Sequence, residues 1–482
     1  MVLEAATVRP DHFGRTHPDP RADPPTVVLD PSRARTEELQ QVGPETPETS
    51  RIPVAPEAAE PDPSSDPFSE ADTADIPIVG PGGGRPDGSA LALSALLGSA
   101  GGLVGWLVAA HVVPVTALGD AQLVVSVVLL LAALAPAVIR PMRGQRPARV
   151  AWMAPLLVVP PAAVAGLACG LLVPRLAGVV TIPGAPAVTG PLIVAAGCAA
   201  GGLLAAHDVV LAGAGKPGWV VWRSALFAPV QIGAVVALCA VAGLGADGVV
   251  LSWLGPAAAW AVPAVAAVPL LLSRASGDGS SGVPAVISLV GTALLYHLVP
   301  IVVTVRFGSA TGAVFFVAWQ VFVLVDLGAA YTVHALAGAV AREPGRTGEL
   351  VARARRRLLI VFLPLIALGA ALAGPLLTAF GPAYADAGDL LRLMLLGLAF
   401  RLVVTHELGV RQALGHGVGF DRLQLFSAVL VLVVAIALPG TAGDVTELRL
   451  VAIGYIIVQV ACAAAVLVIP AARRTDVEVR AP

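Results

Sequence analysis

Residues 96–135 read LLGSAGGLVGWLVAAHVVPVTALGDAQLVVSVVLLLAALA, and Asp120 is the one Asp, Glu, Lys or Arg among them. A helix that crosses a bilayer needs roughly 20 mostly apolar residues. Together with the apolar residues that flank it, the stretch is long enough for two such helices, which we place at 90–113 and 121–139. The chain is therefore expected to enter a membrane here.

The composition of the whole chain indicates the same class of protein. Of its 482 residues, 57% are hydrophobic and 13% are charged, and the mean hydropathy is +0.84. Apolar runs of spanning length occur twelve times, separated by charged residues, Gly, Pro and Ser. The runs after the first pair lie at 151–173, 191–212, 224–244, 249–273, 283–305, 313–337, 358–380, 389–410, 423–438 and 448–470. The sequence predicts an all-α polytopic membrane protein with about twelve transmembrane helices.

Residues 1–88 differ from the rest of the chain in composition. They contain seven Arg against seventeen Asp and Glu, a net charge of 7 − 17 = −10, and sixteen Pro. Such a segment cannot bury enough apolar surface to offset the entropy cost of ordering it. We predict a disordered, Pro-rich acidic tail in the cytoplasm, acting as a solvated spacer or docking a cytoplasmic partner. No signal peptide is expected, because the first apolar run of inserting length begins near Ala90.

Lysine and arginine are distributed unevenly between the two alternating sets of predicted loops. Loops rich in these residues stay on the cytoplasmic side. One set, together with the C-terminal segment 471–482, holds eighteen of them: Arg140, Arg143, Arg146, Arg149, Lys216, Arg223, Arg274, Arg342, Arg346, Arg353, Arg355, Arg356, Arg357, Arg411, Arg422, Arg473, Arg474 and Arg480. The other set holds three: Arg175, Arg306 and Arg449. The bias predicts a multi-pass protein of the cytoplasmic (inner) membrane with both termini in the cytoplasm.

A weak internal repeat suggests two lobes. The tripeptide at 97–99, with Gly119 after it, matches the tripeptide at 290–292 with Gly312, at one offset of 290 − 97 = 193 residues. Repeats of this kind are common in transporters. We therefore divide the spans into a six-helix N-lobe, 89–273, and a six-helix C-lobe, 283–470.

The chain also resembles a known family. Four stretches carry the resemblance: residues 96–135, AREPGRTGELVARARRRLL at 341–359, LLTAFGPAYADAGDLLRLMLLG at 376–397, and RQALGHG at 411–417. Their order and spacing are similar to those of polysaccharide flippases of the multidrug/oligosaccharidyl-lipid/polysaccharide exporter (MOP) superfamily. The resemblance implies a two-lobed, V-shaped helical transporter that alternates between inward-open and outward-open states. It also implies a membrane-embedded, lipid-linked oligosaccharide or polysaccharide precursor as substrate.

Ionisable side chains inside the predicted spans are the candidates for function, because a charge in hydrocarbon is costly. Arg401 lies near the middle of the tenth span, where it could contact a lipid pyrophosphate headgroup or pair with a carboxylate. Asp326, near the centre of the eighth span, is the candidate partner in that pair and, alternatively, a ligand for a coupling cation.

Four further residues are candidates for substrate contact, each with a plainer structural alternative. Arg306, at the outer end of the seventh span, could meet a phosphate or lie in an exposed loop. His111 and His297 lie in the opening helix of each lobe, and His334 follows Asp326 by eight residues on a similar helix face. Each histidine could carry a proton, and each could equally be a packing residue held by a hydrogen bond.

Charged residues nearer the span ends are expected to have structural roles. His207 and Asp208 are placed at the cytoplasmic interface. Glu407 and Arg411, spaced i and i+4, are expected to form an ion pair on one helix. Arg392 precedes Arg401 by nine residues, which places the two arginines on opposite helix faces.

Three functions other than translocation of a glycan lipid remain open. A cation-coupled exporter of small molecules would be expected to carry a carboxylate in its opening helix, but 90–113 contains no Asp or Glu. A membrane glycosyltransferase or polymerase needs a sizeable outer loop, and the longest predicted outer connection, 174–190, holds Arg175 as its only charge. A scaffold that has lost transport would depend on its acidic tail.

Motifs of common catalytic and metal sites do not occur in the sequence. It contains no GxxxxGK[ST], HExxH or CxxC pattern. We therefore expect no enzyme activity, no ATP hydrolysis, no metal or other cofactor, and no nucleic-acid partner. The four cysteines lie singly in apolar runs and are expected to be packing residues.

Overall fold

The protein is described here by a computed structural model that covers residues 88–139, 147–180, 186–214, 216–266, 286–414, 417–438 and 447–468. The predicted tail up to residue 87 and the segment 471–482 lie outside the described residues, so the predictions made for them stay predictions. The described part of the chain is nearly all helical.

The helices follow one another in two groups. The N-terminal half contains α1 (Gly88–Val112), α2 (Val115–Ile139), α3 (Pro147–Leu172), the short α4 (Pro174–Val179), α5 (Thr189–Gly213), α6 (Pro217–Val235, continued by a π-helix at Val236–Val241) and α7 (Ala246–Ala266). The C-terminal half contains α8 (Val286–Ala293), a π-helix (Leu294–Leu298), α9 (Val299–Phe307), α10 (Ser309–Arg342), α11 (Thr347–Ala371), α12 (Ala373–Thr378), α13 (Gly388–Ala413), α14 (Gly417–Ala437) and α15 (Leu448–Val468). Short 3₁₀ turns at Pro344–Arg346 and Pro382–Ala387 precede α11 and α13.

Each of the twelve predicted spans corresponds to a described helix or pair of helices, which confirms the predicted fold class. Within the described ranges, nine helices are long and apolar enough to cross a membrane by length and composition. The other three are α11 and α13, which carry several arginines, and α14, whose apolar part is shorter. In α11 and α13, polar side chains lower the mean hydropathy, while the helix itself continues without a break.

The helix that contains most of the ninth predicted span begins well before that span. The sequence predicts the span at 358–380, whereas α11 begins at Thr347 and ends at Ala371, and α12 follows as a separate helix. The charge of residues 347–357 indicates a loop. Ala, Glu, Leu and Arg are strong helix formers, and the arginines at 353 and 355–357 lie exposed on the first turns of α11. The basic residues thus extend the helix beyond its apolar part.

Glycines allow the first helix to pack closely within the N-terminal half. Cβ atoms at Gly101 and Gly105 would overlap Ala228 and the side-chain amide of Gln231 on α6, and one at Gly102 would lie 3.0 Å from Trp253 on α7. Helices in lipid gain no hydrophobic free energy from associating, so close contact between backbones stabilises them instead. The Gly-rich sequence of α1 is therefore required by its packing against α6 and α7.

The two halves meet where α2 and α10 begin, and we call this the closed end. The backbone of Ser309 lies against Gly119, where no side chain would fit. The hydroxyl of Ser309 donates to Asp120, and that of Thr304 donates to the side-chain oxygen of Gln122 at 2.8 Å. These contacts join one half of the protein to the other through polar groups as well as by packing.

The apolar core is continuous between the halves at the closed end and divided at the opposite end. One large cluster of buried residues includes both halves, and the edge-to-face contact of Trp106 with Phe316, with ring centroids 4.9 Å apart, belongs to it. At the opposite ends of α2 and α10 the described core residues form separate clusters. One contains Ile139 and its neighbours on α3 and α5, and the other contains Val340 and its neighbours on α11 and α13.

Substituting Gly119 by Ala tests whether the closed end depends on this close approach. The added methyl group would collide with the Ser309 backbone, and overpacking of this kind costs about 1–3 kcal/mol. We expect the halves to separate at this end. The measurement is the rate at which a water-soluble maleimide labels Thr304→Cys, in a chain whose native cysteines are replaced by Ala; the rate should rise in the Gly119→Ala background.

The matched control is Gly98→Ala on α1, because a Cβ at Gly98 has no neighbour within 4 Å. It should leave the labelling rate unchanged. Equal rates in both variants and in the unsubstituted chain would show that the Gly119 contact does not hold the halves together.

Candidate functional site

A buried ion pair lies near the centre of the C-terminal half. Nε of Arg401 on α13 donates to Oδ2 of Asp326 on α10 at 2.7 Å, and the two residues are 3% and 1% exposed. Asp326 is about 25 Å along α10 from the closed end, at about 1.5 Å per residue, and Arg401 is halfway along α13. The pair therefore lies midway along both helices, and the predicted pairing of Arg401 with Asp326 is confirmed.

The same carboxylate accepts a second hydrogen bond from a tyrosine. The hydroxyl of Tyr296 donates to Oδ2 of Asp326 at 2.7 Å. Tyr296 belongs to the π-helix that precedes Pro300, and a proline has no N–H to donate to the carbonyl four residues earlier. That carbonyl, of Tyr296 itself, accepts instead from the indole N–H of Trp319 at 3.2 Å. Trp319 thus holds the backbone that carries the tyrosine.

Tyr455 on α15 completes the cluster. Tyr455 lies close to Arg401 and Asp326, and its ring contacts that of Phe322 edge to face, with centroids 5.3 Å apart. A Cβ at Gly397 would lie 2.5 Å from the Tyr455 ring. The tyrosine is therefore fixed against α13, one turn away from Arg401.

Three polar atoms of this cluster keep an unused hydrogen-bonding capacity. Oδ1 of Asp326, Nη1 of Arg401 and the Tyr455 hydroxyl are buried and have no hydrogen-bond partner among the described residues. Buried polar atoms without a partner are rare because each costs about 1–3 kcal/mol. The cluster offers one carboxylate acceptor, one cationic N–H donor and one hydroxyl, which together suit a polar or charged group.

Among the described residues, the other predicted substrate contacts form no hydrogen bond or ion pair with this cluster. Arg306 lies in the last turn of α9 and not in a loop, and it donates to the carbonyls of Ala435 (3.0 Å) and Ile436, so it caps the C-terminus of α14. His111 is exposed at the end of α1, with Nδ1 2.9 Å from the Leu107 carbonyl. The His297 ring is partly exposed on the π-helix. The side chain of His334 lies outside the described residues.

Residues near the helix ends form local ion pairs. Glu407 and Arg411 pair at 3.2 Å, as predicted. Asp208 pairs with Arg223 on α6, which the sequence analysis did not predict, and the adjacent His207 is buried instead of reaching the interface. Arg392 is about half-exposed and bonds Asp389 at 2.6 Å. None of these pairs touches the central cluster.

Two members of the cluster, Tyr296 and Tyr455, were missed. The chain has four tyrosines, and these two lie within apolar spans, where a hydroxyl needs a partner. Their position was therefore a usable signal. Which charged residue each would meet depends on how four helices pack, and the sequence does not contain that information locally.

The central ion pair is expected to matter for stability only when it is broken on one side. Asp326→Asn leaves Arg401 charged and uncompensated, at a cost of about 3–5 kcal/mol, whereas replacing both partners by apolar residues is often nearly neutral. We expect a large drop in the thermal unfolding temperature of the detergent-purified protein for Asp326→Asn and a small one for Asp326→Leu/Arg401→Met.

Glu407→Gln is the control, because it breaks a partly exposed pair on the same helix as Arg401, and such pairs contribute about 0–1 kcal/mol. A double variant as unstable as Asp326→Asn would argue against a buried pair of the geometry described.

Comparison with known proteins gives structural matches alone. No family model and no curated protein matches the chain. An inward-facing multidrug resistance MATE family transporter of the MOP superfamily gives a TM-score of 0.60 at 15% identity, covering 82% of this chain and 100% of that one. An outward-facing multidrug resistance MATE family transporter gives a TM-score of 0.51 at 14% sequence identity, and the match covers 82% of this chain and 97% of that one. A third match is a MOP superfamily transporter from Pyrococcus furiosus that is described as having a binding pocket of reversed polarity. It gives a TM-score of 0.52 at 16% sequence identity, and the match covers 82% of this chain and 97% of that one. The described chain therefore has the fold of the MOP superfamily transporters.

Proposed function

We propose that the protein is a membrane transporter that moves a lipid-linked oligosaccharide or polysaccharide precursor across the cytoplasmic membrane by alternating access of its two halves. The observation that carries the proposal is Arg401, a cation at mid-membrane depth with one N–H group unused. Arginine binds phosphate through such groups, and the lipid pyrophosphate of a glycan precursor is the part of the substrate that is hardest to carry through hydrocarbon.

The arrangement of the halves supports alternating access. They are joined at the closed end and have separate cores at the other end. We infer from the distribution of Lys and Arg that the closed end lies outside the cell. We infer that in this orientation the halves open towards the cytoplasm, where a precursor made inside the cell would enter.

The central cluster can respond to a phosphate by exchanging partners. Without substrate, Asp326 neutralises Arg401. A phosphate entering beside Nη1 would compete with the carboxylate for the guanidinium, and Tyr296 would remain as a hydrogen-bond donor to Asp326. The charge of the substrate would thus be compensated by a group that is already inside the membrane.

The exposed arginines on α11 suit the approach of an anionic headgroup. Arg355, Arg356 and Arg357 are exposed and form no ion pair with another described residue. Basic residues near an anionic surface contribute about 1 kcal/mol each. They lie on the first turns of α11, at the end that we assign to the cytoplasm.

The second candidate is a cation-coupled exporter of small molecules, which is favoured by the multidrug transporters among the similar structures. Asp326 would then bind the coupling cation. Against it, α1 contains no Asp or Glu along its length. The carboxylate–arginine cluster in the other half offers such a cation one free oxygen beside a fixed positive charge, which is a poor cation site.

The two functions are separated by reconstitution. The full chain is placed in liposomes with a fluorescent lipid-linked oligosaccharide, and flipping is read as accessibility to an impermeant quencher. We expect the unsubstituted protein to flip this lipid. Asp326→Leu/Arg401→Met should be about tenfold slower or more, because a charge-assisted hydrogen bond contributes roughly 1.5–3 kcal/mol.

Arg392→Ala is the matched control, since Arg392 is an exposed arginine on the same helix. It should retain full activity. A protein that flips no glycan lipid but exports a cationic dye along an ion gradient would replace our proposal with the second candidate. Flipping unchanged in the double variant would remove Arg401 from the mechanism.

The proposed orientation has its own test. Single cysteines replace Thr378, exposed on α12, and Arg355, exposed on α11. We expect an impermeant maleimide to label the first in intact cells and the second only after permeabilisation. The reverse pattern would turn the opening between the halves to the outside and contradict an inward-open structure.

A further inference from the structure

A cavity of about 260 Å³ lies in the N-terminal half, where α5 ends and α6 begins. It is separate from the central cluster of the C-terminal half. Three tryptophans line it, Trp219 and Trp222 on α6 and Trp260 on α7, together with Lys216 and Arg223. The cavity therefore combines a mostly apolar wall with positively charged groups, at the end of the N-terminal half opposite the closed end.

The charges in this cavity are not balanced. Asp208 pairs with Arg223 through Nη2, and Nε of Arg223 is buried without a hydrogen-bond partner among the described residues. Lys216 forms no ion pair with any other described residue. The cavity is therefore lined by two cations and one carboxylate. The ammonium group of Lys216 and the Nε–H of Arg223 remain available to bind an anion.

The tryptophans form one connected surface. The ring of Trp222 lies edge to face with those of Trp219 and Trp260, with centroids 6.0 and 6.1 Å apart. Trp219 and Trp222 are 56% and 54% exposed. Tryptophan is enriched at the depth of lipid headgroups because it has an apolar ring and a polar N–H. The position and exposure of these rings suit contact with a lipid at that depth.

An exposed apolar stripe runs from the cavity along α6. Trp219, Trp222, Leu226 and Val230 follow one another at spacings of three or four residues, and all four side chains are exposed. Residues so spaced share one helix face. The stripe is about 16 Å long at about 1.5 Å per residue, close to the roughly 15 Å of hydrocarbon in one leaflet. It offers a track for one acyl chain.

We propose that this cavity binds an anionic phospholipid, with the phosphate at Lys216 and Arg223 and an acyl chain along the α6 stripe. Charge complementarity selects a phospholipid of net negative charge over a zwitterionic one. The small volume accommodates a phosphate and a few carbon atoms but not the several sugar rings of a glycan precursor. The site is independent of Arg401 and Asp326, and binding there does not depend on the proposed transport.

Native mass spectrometry of the full chain in detergent tests the site. Phosphatidylglycerol and phosphatidylcholine with identical acyl chains are added in turn. We expect one phosphatidylglycerol to be retained per chain in preference to phosphatidylcholine. Lys216→Gln should weaken its retention by about tenfold, as expected for the loss of one charge-assisted contact, and Trp222→Ala should weaken the retention of both lipids.

The matched controls remove similar residues elsewhere. Arg392→Gln removes an exposed cation on α13, and Trp152→Ala removes an exposed tryptophan on α3; both should bind phosphatidylglycerol as the unsubstituted chain does. Equal retention of the two lipids, or no effect of Lys216→Gln and Trp222→Ala, would overturn the proposal. Displacement of phosphatidylglycerol by an equimolar polyprenyl phosphate would also overturn it, in favour of the lipid carrier as the occupant.

Discussion

Close contact between helix backbones is the constraint on which the rest of this structure depends. In a bilayer, apolar side chains gain nothing by leaving lipid for protein, so helices associate where small residues let them approach. Gly101 and Gly105 bring α1 against α6, Gly166 and Gly170 bring α3 against α5, and Gly119 brings the two halves together. Each of these contacts fixes the position of a whole helix. The polar contacts then form between helices whose arrangement the glycines have determined.

The buried charges follow from that arrangement. Asp326 and Arg401 lie 75 residues apart in sequence and on different helices, and a single charge at their depth would cost several kcal/mol. They are tolerated because α10 and α13 pack side by side. Since three atoms of the cluster remain without partners, it is less complete than a purely structural ion pair would need to be. A site that must accept and release a charged group has a physical reason to be incomplete in this way.

Much of this architecture could be predicted from the sequence. The twelve spans follow from apolar runs of the right length, and the pair of Arg401 with Asp326 follows from the rarity of charges at mid-span. The start of α11 could not be found in this way, because hydropathy detects where the apolar part begins and not where the helix begins. The role of Arg306 could not be predicted from the sequence either. Arg306 caps α14, a helix more than 100 residues later in the chain, and the two are brought together only by the packing of helices in the C-terminal half. The lipid-linked substrate rests on resemblance and stays a proposal.

The π-helix at Leu294–Leu298 gives the seventh span a property that a regular helix would lack. Tyr296 lies within it, bonded to Asp326, and Thr304 lies about two turns later, bonded to Gln122 in the other half. A π-turn contains one residue more than an α-turn. Conversion of this turn to regular α-helix would therefore rotate α9 by roughly 100° relative to α8, the rotation that one residue contributes. Tyr296 and Thr304 could not both keep their partners through such a rotation. The contact of Tyr296 at the centre of the C-terminal half and the contact of Thr304 at the junction between the halves therefore both depend on the winding of these five residues.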